Sequence, residues 1–297
     1  MNKRIAVIVN VDAGPESPLA QTLSRAITEN NIPAELFLCR SEEEINIRTE
    51  LAIERGFSVI AAAGGDGTIN CVASHLAGLP VALAVIPVGT LNHFAQDLGI
   101  PLNISQALKI AASGLTKQID VGRVGDYIFL NNCSLGLYPK VVQLRESMQK
   151  KGWKKSIALV VAGFAIFRRF PHLLVKLHMK EQEIVRSTPV VFVGNNRYSL
   201  SGTDMGRRNS LDQHILSLFI TNRQSRFGFI KLLMHLNVGK LSQQKDFEEF
   251  YTESLSIETP KKFLSVALDG EVRTIKSPLR FSIKANALTV LVPPPLV

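Results

Sequence analysis

Cysteine is scarce in this sequence: Cys39, Cys71 and Cys133 are the only three among 297 residues. An odd number with no CxxC spacing argues against both a zinc site and a disulfide framework, and a reducing cytosol fits such a chain best. Long apolar runs are missing as well. The longest, Ile157 to Phe167, falls short of the ~20 residues that a membrane-spanning helix needs, so any membrane contact is expected to be peripheral. The basic start, MNKRIAVIVNVDAGPESP, has an apolar stretch only from Ile5 to Val9 and reads as a first strand, not a signal peptide. Acidic residues are outnumbered. The 25 Asp and Glu against 34 Lys and Arg leave a net charge of +9, which favours anionic partners such as nucleotide phosphates, acidic lipid or nucleic acid. Nucleic acid is the least favoured of these, because no recognition motif or aromatic stacking platform accompanies the charge. Internal repeats and low-complexity linkers are lacking too, and the proline-rich end, PPPLV, reads as an exposed tail.

What is there is a globular composition, with 46% apolar and 20% charged residues, in a chain longer than one hydrophobic core comfortably serves. The first third alternates β-rich runs with helical patterns: IAVIVN, PLAQTLSRAITEN, AELFLCR, SEEEINIRTELAIERG, FSVIAAA, TINCVASHLAG, VALAVIP and LNHFAQDLG. A βαβαβαβα series implies a parallel sheet covered by helices. Ser41 followed by Glu44 is a capping box, and Gly78 and Gly99 stand where helix C-termini favour glycine. From about Asp126 the pattern changes to strand-like runs, YIFLNNCSL, LLVKLHMK, PVVFVGNN, ILSLFIT, FLSVALDGEV and LRFSIKA, with few helical stretches. The expected architecture is an α/β, doubly wound nucleotide-binding domain over 1–125, then an antiparallel, β-sandwich-like domain over 126–279.

In an open parallel sheet a ligand sits beyond the carboxyl ends of the strands, so the loops after IAVIVN, FSVIAAA and VALAVIP are expected to converge. They hold Asn10 to Gly14 (NVDAG), Gly64 to Thr68 (GGDGT, continuing to Asn70) and Pro87 to Asn92 (PVGTLN). Gly64, Gly65 and Gly67 let backbone N–H groups come against phosphate oxygens at a helix N-terminus, which Thr68 is expected to cap. A lone glycine pair would be explained as well by the geometry of a tight turn. Asp66 changes the balance. A carboxylate among phosphate-binding amides repels its ligand unless it holds a metal or accepts a proton, and so points to phosphoryl transfer. A dinucleotide site of the GxGxxG type fits poorly, because NVDAG follows the first strand and Cys39-Arg40 ends the second.

GGDGT with Asn70, followed by PVGTLNHFA, resembles the catalytic domain of diacylglycerol kinases and bacterial lipid kinases, in the superfamily that includes sphingosine kinases. The Asn10 loop resembles that family's NPxxG, with Val11 in place of proline, and IDVG (119–122), VGNN (193–196) and LDGE (268–271) extend the likeness over nearly the whole chain. The resemblance implies that Asn10, Gly64, Gly65, Asp66, Gly67, Thr68, Gly89 and Thr90 hold ATP between two domains, with Asn70 and Asn92 buttressing the loops. It implies Asp66 as the group that organises magnesium through water and Glu271 as the acceptor of the substrate proton. A last strand, Ala287 to Val292 within about 280–297, is implied to return to the first domain. The implied reaction transfers the γ-phosphoryl group of ATP to a lipid hydroxyl, diacylglycerol or a related acylglycerol or phospholipid.

Departures from the family pattern are visible. His93 and Cys71 stand where acids are common, and the stretch resembling an Asp-Asp-Gly-Leu metal loop reads Leu211, Asp212, Gln213, His214, Ile215, leaving Asp212 as its one acidic candidate ligand. Asp269-Gly270 between apolar-alternating runs is also an ordinary type I′ hairpin signal. Lys150, Lys151, Lys154, Lys155, Arg168 and Arg169 flank an apolar stretch with Trp153, a pattern suited equally to an anionic bilayer surface and to an ordinary helix with solvated ends. The expected partner is therefore a lipid at an anionic membrane surface, reached from the cytoplasm, with homodimerisation left open. An NAD kinase-like enzyme and a non-catalytic nucleotide- or lipid-binding protein remain as alternatives.

Overall fold

The computed structural model describes residues 4–11, 17–150, 152–153, 157–158, 161, 164–165, 172–180, 182–199, 206–221 and 247–295. The chain divides into two compact units, Met1–Val121 with Ala285–Val297, and Gly122–Lys284.

In the first unit, β1 (Ile5–Asn10), β2 (Ala34–Cys39), β3 (Val59–Gly64) and β4 (Ala82–Pro87) alternate with α1 (Pro18–Glu29), α2 (Glu42–Glu54) and α3 (Asp66–Leu76), followed by α4 (His93–Asp97) and α5 (Ile104–Ser113). The strands pair in parallel in the order β2-β1-β3-β4. β3 and β4 are buried throughout and β1 at every residue but Asn10, as expected of parallel strands covered on both faces. Helices pack in pairs, α2 with α3 and α1 with α5. Ser41 caps α2 by accepting from the N–H of Glu44. The carboxylate of Glu44 reaches back to the N–H of Arg40, one residue earlier than a reciprocal capping box places it. Gly78 and Gly99 both have positive φ, at +90° and +69°, as their helix-end positions demand.

The sheet continues past β4 with the end of β16 (Leu279–Val292), in parallel register Thr289↔Ala82 and Val290↔Leu83. This strand is longer than Ala287 to Val292. It is interrupted at Asn286, which has a φ of +50° and donates its N–H to fully buried Asp120 at 2.9 Å.

The second unit takes in the end of β5 (Leu115–Val124), then β6 (Tyr127–Phe129), β7 (Asn132–Gly136), α6 (Leu137–Lys150), β8 (Leu173–Met179), β9 (Gln182–Thr188), β10 (Val190–Asn195), β11 (Leu216–Thr221), β12 (Phe247–Thr252), β13 (Ser254–Glu258), β14 (Phe263–Leu268) and β15 (Glu271–Lys276). One antiparallel sheet runs β12-β11-β10-β7-β14-β15, and a second layer pairs β9-β8-β13 with the first residues of β16. Alternate residues of both, among them Cys133, Leu135, Val193, Leu218 and Val266 from one and Val175, Leu177, Ile257 and Phe281 from the other, form a shared apolar core. YIFLNNCSL, expected as one strand, is two, broken at Leu130 and Asn131 because the backbone there is taken by side chains. Most of the basic-apolar segment from Lys150 to Arg169 lies outside the described residues. Among the described residues no helix is long and apolar enough to cross a membrane.

Candidate active site

Two loops of the first unit meet at the carboxyl ends of β3 and β4, and the last residue of β1 reaches the first of them. At the end of β1, the amide of Asn10 donates to Thr68 Oγ1 at 3.2 Å; residues 12–16 of its loop lie outside the described residues. After β3, Gly65 is the N-cap of α3 in an extended conformation, φ −86° and ψ −176°, and no side chain caps the helix. The first-turn N–H groups and the positive end of the helix dipole are thus left for an anion. Thr68 does not supply the expected cap. It lies inside the first turn, where its side chain serves Asn10 and packs so tightly beneath Gly64 that a Cβ on that glycine would stand 2.4 Å from it.

The two loops touch through backbone. A Cβ on Gly89 would lie 2.5 Å from Gly65 Cα and 2.8 Å from Asn92 Oδ1, so Gly89 is required by close approach. Asn92, buried and left-handed at φ 52°, brackets Gly89, accepting its N–H at 3.0 Å and donating to its carbonyl at 2.8 Å. Asn70 sits half-buried on α3, and Thr90 is exposed beside Gly89.

Asp66 does something sequence patterns hide. Its carboxylate accepts from the N–H of Phe94 at 3.1 Å and of His93 at 3.3 Å, so it caps α4 across a separation of 28 residues. The cap is this carboxylate, and His93 contributes only its backbone, with its ring exposed. Each Asp66 oxygen accepts one N–H and keeps a second lone pair for water or metal-bound water.

In the second unit, Glu271 opens β15 after a turn whose central residues, Asp269 (φ 47°) and Gly270 (φ 92°), have the left-handed conformations of a type I′ hairpin. Its carboxylate is half-exposed and 3.0 Å from Arg273 Nη2. Asp269 is not merely a turn residue. Its carboxylate accepts from the N–H groups of Leu130 (2.7 Å), Asn131 (2.9 Å) and Asn132 (2.8 Å), and its own N–H returns to the Asn132 carbonyl at 2.9 Å. The carbonyls of the same segment are taken from another side: Leu130 O by Arg208 and Asn195, Asn131 O by Tyr198 Oη and the Asn195 N–H. Burial, and secondly the Asp269 carboxylate, push the Cys133 thiol well above its ordinary range, so it is a neutral core residue.

Asp212 accepts from Ser210. The neighbouring Gln213 accepts the Arg197 N–H at 3.1 Å and donates its own N–H to Asn196 Oδ1 at 2.9 Å, which closes the loop with neutral hydrogen bonds. Among the described residues no three His, Cys, Asp or Glu side chains form a set that could hold a metal ion. Among the described residues Asp212 belongs to no such set. The lone pairs of Asp66 suit a magnesium ion held mainly by phosphate oxygens and water, the donor set this ion prefers.

Residues 4–124 match the family model described as the diacylglycerol kinase catalytic domain, and residues 133–292 match the YegS C-terminal NAD kinase beta sandwich-like domain. The chain belongs to the bacterial diacylglycerol kinase family. Among its relatives, a Staphylococcus aureus (strain MRSA252) diacylglycerol kinase is 31% identical over 145 residues, covering 48% of this chain and 46% of that one. The chain thus spans about half the length of the curated relatives it matches in this way. An uncharacterized Synechocystis protein is 26% identical over 250 residues, 80% of this chain and 57% of its own. The crystal structure of a diacylglycerol kinase from Bacillus anthracis str. Sterne shares the fold, with a TM-score of 0.71 at 21% identity over 100% of this chain and 99% of the other.

Proposed function

We propose that this member of the diacylglycerol kinase family is an ATP-dependent lipid kinase, a phosphotransferase that moves the γ-phosphoryl group of ATP to a lipid hydroxyl, with diacylglycerol or a related acylglycerol or phospholipid as acceptor. The observation that carries it is the meeting of the Gly64 to Thr68 and Gly89 to Asn92 loops at an α3 N-terminus that no side chain caps, with a carboxylate in the same loop.

ATP phosphates take the N–H groups that open α3, and Gly65 and Gly89 keep Cβ atoms away from them. Bound magnesium supplies charge neutralisation on the phosphates and would be held by them, by water and by Asp66. Asp66 also fixes the N-terminus of α4, so one side chain sets both the charge of the phosphate loop and the position of the loop after β4. The lipid hydroxyl oxygen forms a bond to the γ-phosphorus as the bond to the ADP oxygen breaks, and the hydroxyl proton passes to the carboxylate of Glu271. The family resemblance supports that last role, and the half-exposed position of Glu271 on a fixed turn suits it.

Labelled ATP is incubated with the protein, magnesium and a total lipid extract, with NAD in a separate arm. The label is expected in lipid. Asp66→Asn keeps the shape of the loop and nearly abolishes transfer at saturating magnesium, while Glu271→Gln lowers the catalytic constant by ~10²- to 10⁴-fold with ATP affinity intact. Label in NAD, or none in any acceptor, refutes the lipid kinase reading.

A further inference from the structure

In the second unit a buried positive charge and a half-buried negative one are joined through one peptide group. Arg208 is 4% exposed. Its Nη1 donates to the carbonyls of Leu130 (2.5 Å) and Asn195 (3.1 Å), its Nη2 to Asn131 Oδ1 at 2.7 Å, and its guanidinium lies 5.4 Å from the centre of the Tyr198 ring. The Leu130 carbonyl that receives Arg208 and the Asn131 N–H that meets Asp269 Oδ1 at 2.9 Å belong to the same peptide unit. Arg208 is therefore linked to Asp269 as guanidinium, C=O, N–H, carboxylate in sequence. The peptide dipole is aligned so that each end faces the charge it favours. In a low-dielectric interior such a chain polarises cooperatively, and each ion lowers the cost of burying the other.

We infer that Arg208 and Asp269 act as one electrostatic unit that positions Glu271, and that Arg208 is a positioning residue for phosphoryl transfer. Asp269 is the first residue of the two-residue turn and Glu271 follows that turn directly. The backbone carrying Glu271 is held by the three N–H groups on Asp269, and the segment supplying those N–H groups is held by Arg208 and Tyr198. The two acids of LDGE thus divide the work: Asp269 anchors, with its carboxylate oxygens occupied by backbone, and Glu271 takes the proton. A local charge change at Arg208 reaches the reacting carboxylate through this chain, although Arg208 itself touches no substrate. The inference rests on the proposed lipid kinase reading for its activity arm only.

The test is chemical rescue of Arg208→Ala, which leaves a cavity of guanidinium shape. Its catalytic constant is expected to fall ~10²-fold, the scale of a displacement of about 1 Å in a catalytic group, with KM for ATP unchanged. Millimolar guanidinium is expected to restore much of the catalytic constant and to raise the melting temperature. Urea, the neutral isostere, is expected to do neither. Rescue by urea as effective as by guanidinium, or an Arg208→Ala protein with the wild-type catalytic constant, overturns the inference. Arg208→Lys keeps the charge without the fork and should lie between the two; if it matches Arg208→Ala, charge is not what counts. The melting arm needs no substrate. If the wild type phosphorylates no lipid, the kinase reading fails while guanidinium-specific stabilisation still reports the charge pair.

Discussion

Gly65→Ala separates the ligand's need for a bare backbone from the protein's own. A Cβ at Gly65 meets only Gly89 Cα, at 3.5 Å, an ordinary contact, and the residue's φ of −86° and ψ of −176° suit any L-residue. No steric folding penalty is therefore expected. Restricting the unfolded chain contributes about 0.4–1 kcal/mol of stability, which offsets the roughly similar cost of alanine in place of glycine at an N-cap, so the melting temperature should stay within about 2–4 °C of the wild type. A bound phosphate has no such tolerance, because the methyl group occupies the approach to the N–H groups that open α3. Losing one hydrogen bond to a charged group costs about 1.5–3 kcal/mol, which is about 10- to 150-fold in the dissociation constant of magnesium-ATP at ~1.4 kcal/mol per decade. Gly64→Ala and Gly89→Ala are the controls, since their Cβ atoms would stand 2.4 and 2.5 Å from existing atoms. Both should lose stability whether or not ATP is bound. Calorimetric titration with magnesium-ATP and a thermal melt of each variant decide the matter. An unchanged ATP affinity in Gly65→Ala would falsify the placement of ATP at this loop.

Asp269→Ala removes the acceptor of three N–H groups, two of them on the buried residues Leu130 and Asn131, and should cost about 3–5 kcal/mol in denaturant unfolding; Glu271→Gln, on the same hairpin, should cost almost nothing. Ending the chain at Lys284 removes the fully buried Leu288, Val290 and Leu291, worth about 1.5–3 kcal/mol each, so the first unit should be cleaved rapidly in limited proteolysis; resistance equal to that of the full chain would refute its dependence on β16. Replacing Lys150, Lys151, Lys154 and Lys155 by Gln should weaken sedimentation with anionic vesicles at low salt, by about 1 kcal/mol per residue at the surface, and equal sedimentation of both proteins would rule out this segment as the membrane contact.

The first four strands were legible in the sequence almost to the residue, IAVIVN coinciding with Ile5–Asn10, because buried parallel strands are short apolar runs punctuated by turn residues. The glycine loops and their convergence followed from the same topology. What escaped were contacts between distant parts of the chain. Nothing in GGDGT says that Asp66 will cap a helix 27 residues on, and nothing in YIFLNNCSL says that its middle will be held by Asp269 and Arg208. Local periodicity records which side of a strand is apolar, whereas these side chains answer to backbone groups brought near only by tertiary folding. The helix Ile104–Ser113, capped by Asn103 accepting from Gln106, was not among the runs singled out in the sequence.

The strand that completes the first unit comes from the far end of the chain, Thr289 pairing with Ala82 and Val290 with Leu83. During synthesis the edge of β4 must therefore wait while the whole second unit emerges from the ribosome. At ~5–20 residues per second that delay is about 10–40 s, during which a wholly buried strand presents unpaired backbone and apolar side chains to the cell. A prematurely terminated product should be recognised by its open β4 edge, so the order of elements along this chain also makes translation to the last strand a condition for escaping proteolysis.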